Sequence, residues 1–201
     1  PIIGILLVIL SIYVFYFFRD PRRFIPEENV VVSPADGVIT FIGSSDPPKE
    51  LDIKEKFIKI SIFLSIFNVH VNRMPVSGTI KNIKYIEGKF LNASLNKSSN
   101  KNERNIILIK DDLNKNYIVT QIAGLIARRI VCDLKINQKS LKGHRFGIIK
   151  FGSRVDLYLP LGTKTLVSVG QSVIGGETII SNIDNVNEIK KFTEIWVIQI
   201  I

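Results

Sequence analysis

The sequence predicts a mainly β domain with some α structure, arranged as a sandwich or barrel and preceded by an apolar N-terminal helix. The β prediction rests on short runs of alternating apolar residues, which recur along the chain, and on the Gly and Pro residues that separate them. The helix prediction rests on residues 1–18, which carry no charge and of which 15 are apolar. At 201 residues, the chain is long enough to bury a core of its own.

The apolar segment 1–18 would span about 27 Å as a helix, close to the thickness of the hydrocarbon layer of a bilayer. Aromatic residues cluster at its end, and Arg19, Arg22 and Arg23 follow directly. A cleaved signal peptide shows the opposite order, with its basic residues first. This arrangement predicts a transmembrane or membrane-anchoring helix, with one catalytic-sized domain, 19–201, on the cytoplasmic side of the membrane. A buried core helix is the alternative.

The charge of the chain is strongly positive: 27 Lys and Arg stand against 18 Asp and Glu, all beyond residue 18, for a net charge of +9. This excess predicts an anionic partner, and the anchoring helix favours an acidic lipid surface over nucleic acid, for which no motif is present. Cys132 is the only cysteine, which excludes a disulfide within the chain. With only His70 and His144 beside it, no zinc site is predicted.

The first long strand is predicted at 57–66, where every even position is apolar. The later predicted strands are 106–110, 117–126, 145–151, 154–160 and short segments with Gly turns within 165–180. Beyond residue 18, weak helical periodicity is confined to 49–56 and 182–193.

An internal similarity joins PADGVI (34–39) and PVSGTI (75–80), which share the pattern P-x-x-G-x-I. Each Pro favours a turn, and each Gly permits a backbone geometry closed to other residues just before an apolar strand begins. The pattern suggests a duplication. By composition alone, the stretch SPADG (33–37), which contains Asp36, reads as a type I turn.

The residues that follow the first strand, FNVHVNRMP (67–75), change its apolar face into a polar one. The positions that continue that face are Asn68, His70 and Asn72. If the strand continues without a bulge, these side chains point inward and must find partners or line a pocket. His70 is therefore a candidate functional residue, with a structural histidine as the alternative.

The pair Gly152–Ser153 separates two predicted strands and reads first as an ordinary turn or bulge. It is also the pair that backbone self-cleavage needs, because the serine hydroxyl can attack the preceding carbonyl and Gly leaves that carbonyl unhindered. Elimination and hydrolysis of the resulting ester would convert the serine into a terminal pyruvoyl group. The absence of a G-x-S-x-G motif disfavours an ordinary serine hydrolase.

These motifs, in this order, resemble the phosphatidylserine decarboxylase family in its short bacterial form. The similarity runs from about Arg19 to Ser181 and rests on four segments behind FFRDPRR: SPADG, FNVHVNRMPVSG, IKFGSRVDLYLP and VGQSVIGGETII. The last segment also resembles the closing hairpin of the barrel-sandwich hybrids found in lipoyl and biotinyl domains. The long form of the family has a second histidine in its Met-Pro motif, where this chain has Arg73.

The resemblance implies that the proenzyme cuts itself between Gly152 and Ser153 into a β subunit, 1–152, and an α subunit, 153–201. Ser153 becomes a covalent pyruvoyl group, the only cofactor implied, which forms a Schiff base with phosphatidylserine and leads to phosphatidylethanolamine and CO₂. His70 is implied in proton transfer, and Asp36 as the base or orienting group for maturation. The implied location is the inner membrane of a bacterium.

Arg128 and Arg129 are candidate contacts for the phosphate of the lipid, although adjacent strand residues face opposite ways and at most one can reach it. His144 lies in a Gly-flanked loop and reads as structural. Two alternatives stay open: a membrane-anchored carrier or adaptor of the lipoyl type, for which Gly175–Gly176 lacks the required lysine, and a pyruvoyl decarboxylase of a soluble amino acid. A homo-oligomer and the role of the tail 182–201 are also left open.

Overall fold

The computed structural model describes residues 1–88, 102–124, 129–150, 153–183 and 192–195. The helical elements among them are α1 (Ile2–Phe17) and one 3-10 turn, Lys49–Leu51. The strands are β1 (Arg23–Pro26), β2 (Val30–Val32), β3 (Gly37–Ser45), β4 (Phe57–Leu64), β5 (Val71–Arg73), β6 (Gly78–Ile86), β7 (Arg104–Lys110), β8 (Asn116–Ala123), β9 (Ile130–Cys132), β10 (Lys139–Ser140), β11 (Arg145–Ile149), β12 (Ser153–Pro160), β13 (Ser172–Val173), β14 (Ile179–Asn182) and β15 (Phe192–Ile195).

The predicted mainly β architecture is confirmed, and its largest part is a curled eight-stranded antiparallel sheet. The strand order is β10-β6-β7-β8-β12-β4-β3-β13, so β12 lies near the centre between β8 and β4. Three smaller sheets have the strand orders β5-β11-β9, β14-β2 and β1-β15. The likeness of 169–180 to a barrel-sandwich hybrid stays a prediction.

One face of the large sheet covers the main hydrophobic core. In β12, the alternate residues Val155, Leu157 and Leu159 are fully buried in this core. The neighbouring strand β4 adds Ile60, Ile62 and Leu64, as the period-two pattern predicted. Alternation therefore decides which side chains of β12 face the interior, and it places Ser153 on the same row.

The predicted strand 57–66 is two residues too long. β4 ends at Leu64, because the Asn68 carboxamide Oδ1 accepts the backbone N–H of Ser65 at 2.8 Å and the Asn68 N–H donates to the Ser65 carbonyl at 3.0 Å. This tight turn leaves Ile66 and Phe67 exposed. The polar face therefore does not continue β4, although His70 and Asn72 are buried beyond the turn.

The predicted hairpin of 106–110 and 117–126 is confirmed as β7 and β8, which pair from Arg104–Ile122 to Lys110–Asn116; β8 ends at Ala123. The helical tendency of 49–56 shrinks to the 3-10 turn, and that of 182–193 is wrong at its end, because β15 pairs there with β1. Most of the remaining tail lies outside the described residues.

The two P-x-x-G-x-I segments adopt the same structure. β3 and β6 begin at the two glycines, and a Cβ at Gly37 or Gly78 would lie 2.2 Å from the Phe63 carbonyl oxygen or 2.6 Å from that of Lys110. Both strands then have a bulge directly after the Ile of the motif, at Ile39 and at Ile80. The close approach explains why both positions are glycine.

Reciprocal hydrogen bonds join the two copies. The N–H of Arg73 donates to the Pro34 carbonyl at 2.9 Å, and the equivalent N–H of Val32 donates to the Pro75 carbonyl at 2.9 Å. Two loops continue the equivalence, because the N–H of Gly143 bonds the second copy at Met74 just as the N–H of Gly176 bonds the first at Ser33, both at 2.8 Å. The suggested duplication thus has a structural counterpart with approximate two-fold symmetry.

Helix α1 lies on the surface with most of its apolar side chains exposed, and only Phe17 is fully buried. In the described part of the chain, no helix combines the length and the apolar character needed to cross a membrane. The prediction of a transmembrane helix is therefore not supported. The buried-helix alternative is also wrong for most of the segment, since residues such as Ile2 and Ile3 are more than 70% exposed.

Candidate active site

Ser153 is the first residue of β12 and is fully buried. It pairs with Leu64 of β4 on one side and with Ala123 of β8 on the other. Its side chain shares the core-facing row with Val155, so a hydroxyl stands where the strand pattern calls for an apolar group. Among the described residues, the Ser153 Oγ has no hydrogen-bond partner. A buried polar atom without a partner is unusual, and here it leaves a hydroxyl available for chemistry at the start of a core strand.

His70 lies between the Ser65–Asn68 turn and β5, with its side chain fully buried. Its Nδ1 donates to the Asn68 carbonyl oxygen at 2.9 Å, which leaves Nε2 as the acceptor; within the described chain, that atom has no partner. The ring packs against Phe17 of α1, with ring centroids 4.2 Å apart. The turn and the helix together fix the orientation of the imidazole.

The environment of His70 keeps the ring neutral. Burial lowers its pKa from the ordinary 6.5 to about 4; the bond to Asn68 raises it and the positive charge of Arg19 lowers it further. At neutral pH the lone pair on Nε2 is therefore available to take a proton.

Backbone pairing links His70 to Ser153. The N–H of Ile149, the last residue of β11, donates to the His70 carbonyl oxygen at 3.3 Å, and Ser153 follows four residues later. Four residues span about 14 Å at most, which bounds the distance between Ile149 and Ser153. Both predicted residues, His70 and Ser153, are fully buried. The predicted residue Gly152 lies outside the described residues.

Asp36 lies in a different cluster. Both of its carboxylate oxygens accept from Arg23 Nη2, at 3.0 and 2.9 Å, and Oδ1 also accepts the backbone N–H of Gly175 at 2.8 Å. Neither ring nitrogen of His70 bonds Asp36. The carboxylate is therefore held in a salt bridge with Arg23, without direct contact to the imidazole.

Arg73, at the position where the long form of the family has its second histidine, is a structural cation. Its guanidinium forms an ion pair with Asp20 and donates to the Gly143 carbonyl oxygen at 3.0 Å. Burial lowers its pKa, while the carboxylates of Asp20 and Asp36 favour the charged form. Arg73 cannot replace a neutral histidine as a base; it ties the segment after α1 to the core.

Sequence reasoning predicted that Asn72 points inward but missed Gln121 and Asn105, with which it forms a chain of buried amides. The Gln121 Nε2 donates to the Asn72 Oδ1 at 2.8 Å, and the Asn105 Nδ2 donates to the Gln121 Oε1 at 2.9 Å. All three side chains are buried. The available signal was a polar residue in the apolar rows of the hairpin strands, RNIILIK and YIVTQIA.

A second missed group lies on the opposite face of β12. Arg154 and Asp156 are buried, with the guanidinium Nε 2.9 Å from the carboxylate Oδ1, and Lys59 Nζ lies 3.2 Å from Oδ2. Because Arg154 follows Ser153 directly, this ion-pair network anchors the strand on which the serine stands.

The remaining predicted contacts lie elsewhere. Arg129 is exposed, and its carbonyl oxygen accepts the N–H of Lys150 at 3.1 Å, whereas Arg128 lies outside the described residues. His144 is exposed and its backbone serves the loop of the second copy. No cluster of possible metal ligands occurs in the ranges that the structure covers.

The fold defines a mainly β protein whose interior contains a serine, a histidine and a chain of buried amides. A family model described as phosphatidylserine decarboxylase matches residues 10–181. The phosphatidylserine decarboxylase proenzyme of Wolbachia pipientis wMel is 55% identical over 181 residues, which cover 89% of this chain and 79% of that protein. That of Ehrlichia chaffeensis is 54% identical with the same coverage, and that of Rickettsia typhi is 52% identical over 182 residues, 90% of this chain and 79% of that protein.

The chain therefore belongs to the phosphatidylserine decarboxylase family, which confirms the resemblance drawn from its motifs.

Proposed function

We propose that this protein is a proenzyme that cuts itself between Gly152 and Ser153 and then decarboxylates phosphatidylserine to phosphatidylethanolamine and CO₂. The observation that carries the proposal is the Ser153 Oγ, buried and without a partner among the described residues, at the start of a core strand. Membership of a family whose relatives are named proenzymes supports it.

The maturation chemistry follows from the serine. The Oγ attacks the carbonyl carbon of residue 152, the C–N bond breaks, and the proton lost by Oγ ends on the new amine, which leaves an ester. A base then removes the Cα proton of residue 153, and the Cβ–Oγ bond breaks to release 1–152 as a carboxylate. Addition of water to the resulting dehydroalanine and loss of ammonia leave a pyruvoyl group at position 153.

The surroundings of position 153 fit such a group. A pyruvoyl group is smaller than the serine residue from which it forms. Loss of the serine hydroxyl also breaks no hydrogen bond to a described residue. Once formed, the group supplies an electron-withdrawing carbonyl that accepts the electron pair released with CO₂.

His70 is the proposed proton carrier. Its neutral Nε2 can take the hydroxyl proton of Ser153 during maturation and return it to the new amine. In the mature enzyme, the same atom can hold or deliver a proton beside position 153. Asp36, paired with Arg23 at 2.9 Å, is the proposed second base of maturation.

The proposed product is a heterodimer of 1–152 and 153–201. The strands of the small fragment, β12, β13, β14 and β15, all pair with strands of the large one, β4, β8, β3, β2 and β1. These pairings would hold the two fragments together after the cut. A homo-oligomer stays a prediction.

Association with a lipid surface is also proposed. The exposed apolar face of α1 continues onto Ile66 and Phe67, because Tyr13 and Tyr16 donate to their carbonyl oxygens at 3.2 and 3.1 Å. An exposed apolar patch with a positively charged domain behind it suits an acidic membrane. Phe17 extends this surface to His70, so lipid would meet the protein beside the site.

The test is intact-mass analysis of the purified protein together with a CO₂ assay. We expect two fragments, the smaller with a blocked terminus at 153, and CO₂ release from phosphatidylserine but not from free serine. Ser153→Ala should yield one uncut, inactive chain. A cut and active Ser153→Ala variant would overturn the proposal, and an uncut wild type would favour the carrier alternative.

A further inference from the structure

The Asn72 side chain is fully buried, and only its oxygen has a hydrogen-bond partner among the described residues. Its Oδ1 accepts from Gln121, while its Nδ2 has no partner in the described ranges. A buried donor that makes no hydrogen bond to a described residue is costly, and this one belongs to the amide chain that reaches the row of Ser153.

The direction of the hydrogen bonds in the amide chain decides whether Asn72 has a free donor or a free acceptor. Asn105 donates to the carbonyl oxygen of Gln121, which leaves the Gln121 amide nitrogen to donate to Asn72. The acceptor of Asn72 is thereby occupied. The group that remains available to the interior is an N–H donor, held in place by two further buried side chains.

The strand register places Gln121, the partner of this donor, diagonal to Ser153. Ser153 faces Ala123, and its neighbour on the same row, Val155, faces Gln121, so the Ser153 and Gln121 side chains are diagonal neighbours on the core face. Such neighbours lie about 7–8 Å apart, within reach of a long side chain. From the other direction, Asn72 stands two residues after His70 and opposite Gly147.

Gly147 makes room for the amide chain. A Cβ at this position would lie 3.2 Å from the Gln121 Nε2 and 2.2 Å from the Val131 carbonyl oxygen. The backbone of β11 can therefore pass directly under the Gln121–Asn72 hydrogen bond.

We propose that the Asn72 Nδ2 donates to the oxygen of the scissile carbonyl when Ser153 attacks it, and that Gln121 is its positioning residue. In this step the Oγ–C bond forms and the carbonyl π electrons move onto the oxygen, which becomes an oxyanion. Return of that electron pair breaks the C–N bond and leaves the ester. The inference rests on the proposed self-cleavage. A fixed donor at a developing oxyanion contributes about 100- to 1,000-fold in rate.

The experiment follows cleavage of freshly translated full-length chain by gel and intact mass. We expect Asn72→Leu to cut about 100-fold more slowly than wild type and Gln121→Met, which only loosens Asn72, to fall between them. Thr120→Val is the matched control, because Thr120 neighbours Gln121 on the opposite face and its Oγ1 also has no partner among the described residues. It should cut at the wild-type rate.

Folding is checked by the thermal unfolding of each variant combined with Ser153→Ala. If Asn72→Leu does not fold, Gln121→Met decides. Cleavage of the folded Asn72→Leu chain, or in its absence of Gln121→Met, at the wild-type rate overturns the inference.

Hydroxylamine distinguishes an effect on attack from a later one, since it cleaves the ester to a hydroxamate and a free Ser153. It should speed fragment formation in wild type but fail to restore Asn72→Leu. Restoration would show that the ester forms normally without Asn72 and would overturn the inference. A wild-type chain that stays whole even with hydroxylamine would instead overturn the proposed function.

Discussion

Asp36 and Ser77 occupy equivalent positions in the two copies of the internal duplication. Asp36 Oδ1 accepts the backbone N–H of Gly175 at 2.8 Å, and Ser77 Oγ accepts the backbone N–H of Lys142 at 3.0 Å. Each side chain thus fixes the loop that contacts its own copy: Asp36 fixes the loop at Gly175, and Ser77 fixes the equivalent loop at Lys142. What distinguishes Asp36 is a charge and its partner Arg23.

This equivalence makes Asp36→Ser an informative substitution. The serine should still hold the loop at Gly175, as Ser77 does at Lys142, while the carboxylate is lost. Since a general base contributes about 100- to 10,000-fold, we expect the folded variant to cut itself at least about 100-fold more slowly. Cleavage is measured by intact mass, and Ser77→Asp is the control. An Asp36→Ser chain that cuts normally would leave Asp36 with a structural role only.

The buried His70 should make stability depend on pH. Its pKa is about 4 in the folded chain and 6.5 as its ordinary value, so the unfolded chain binds more protons between these pH values. Stability should therefore fall as the pH drops from 6.5 to 4, by about 3 kcal/mol from this group. Urea unfolding of Ser153→Ala and of Ser153→Ala with His70→Gln measures the difference. If the free energy of unfolding changed equally with pH in the two chains, His70 would not be the group responsible.

Phe17 should set the acid limit of maturation. Its ring covers the imidazole at 4.2 Å and contributes to the burial that lowers the His70 pKa. Phe17→Ala should admit water, move this pKa upward toward 6.5, and shift the acid limb of the cleavage rate to higher pH by about one unit. The rate is followed from pH 4 to 8, with Phe67→Ala as a control on the same apolar surface. If the acid limb of the cleavage rate did not shift, residues other than Phe17 would be responsible for burying the His70 ring.

The charges behind Ser153 should anchor its strand. Asp156→Asn leaves Arg154 and Lys59 without their buried carboxylate, and loss of one partner of a buried pair costs about 3–5 kcal/mol. Urea unfolding in the Ser153→Ala background measures the loss. The double variant Arg154→Met with Asp156→Leu should recover part of it. If Asp156→Asn were as stable as its parent, the network would contribute nothing to the strand.

The apolar surface of α1 and Phe67 should bind acidic vesicles. Phe15 and Phe67 are 81% and 62% exposed, so replacing both with Ser should leave folding intact and weaken flotation with phosphatidylserine-containing vesicles about tenfold. Phe24→Ser, an exposed aromatic residue on β1, is the control. Equal flotation of the double variant and wild type would place the lipid contact elsewhere.

Much of the fold could be predicted because alternation is a local property of the sequence. Ile60, Ile62 and Leu64 follow a period of two, and they occupy the core as that period requires. The end of β4 could not be predicted, because the turn depends on the Asn68 side chain bonding the Ser65 backbone rather than on apolar pattern.

The individual residues Ser153 and His70 were predicted from their motifs. The contacts between residues of distant elements were not. Ser153 and His70 stand in short motifs, and both are fully buried in the structure. The contacts of Gln121 with Asn72 and of Asp36 with Arg23 join residues from separate elements. Their pairing depends on the register of β8 and on the course of the segment after α1, which local sequence does not specify.

The pairing of Ser153 with both Leu64 and Ala123 has a consequence for the mature protein. A chain end is ordinarily the part of a fold that frays first. Here the new end would be created in the middle of a sheet, with a neighbouring strand on each side. Its reactive carbonyl would need no ordering when a lipid arrives, so none of the binding energy would be lost in immobilising it.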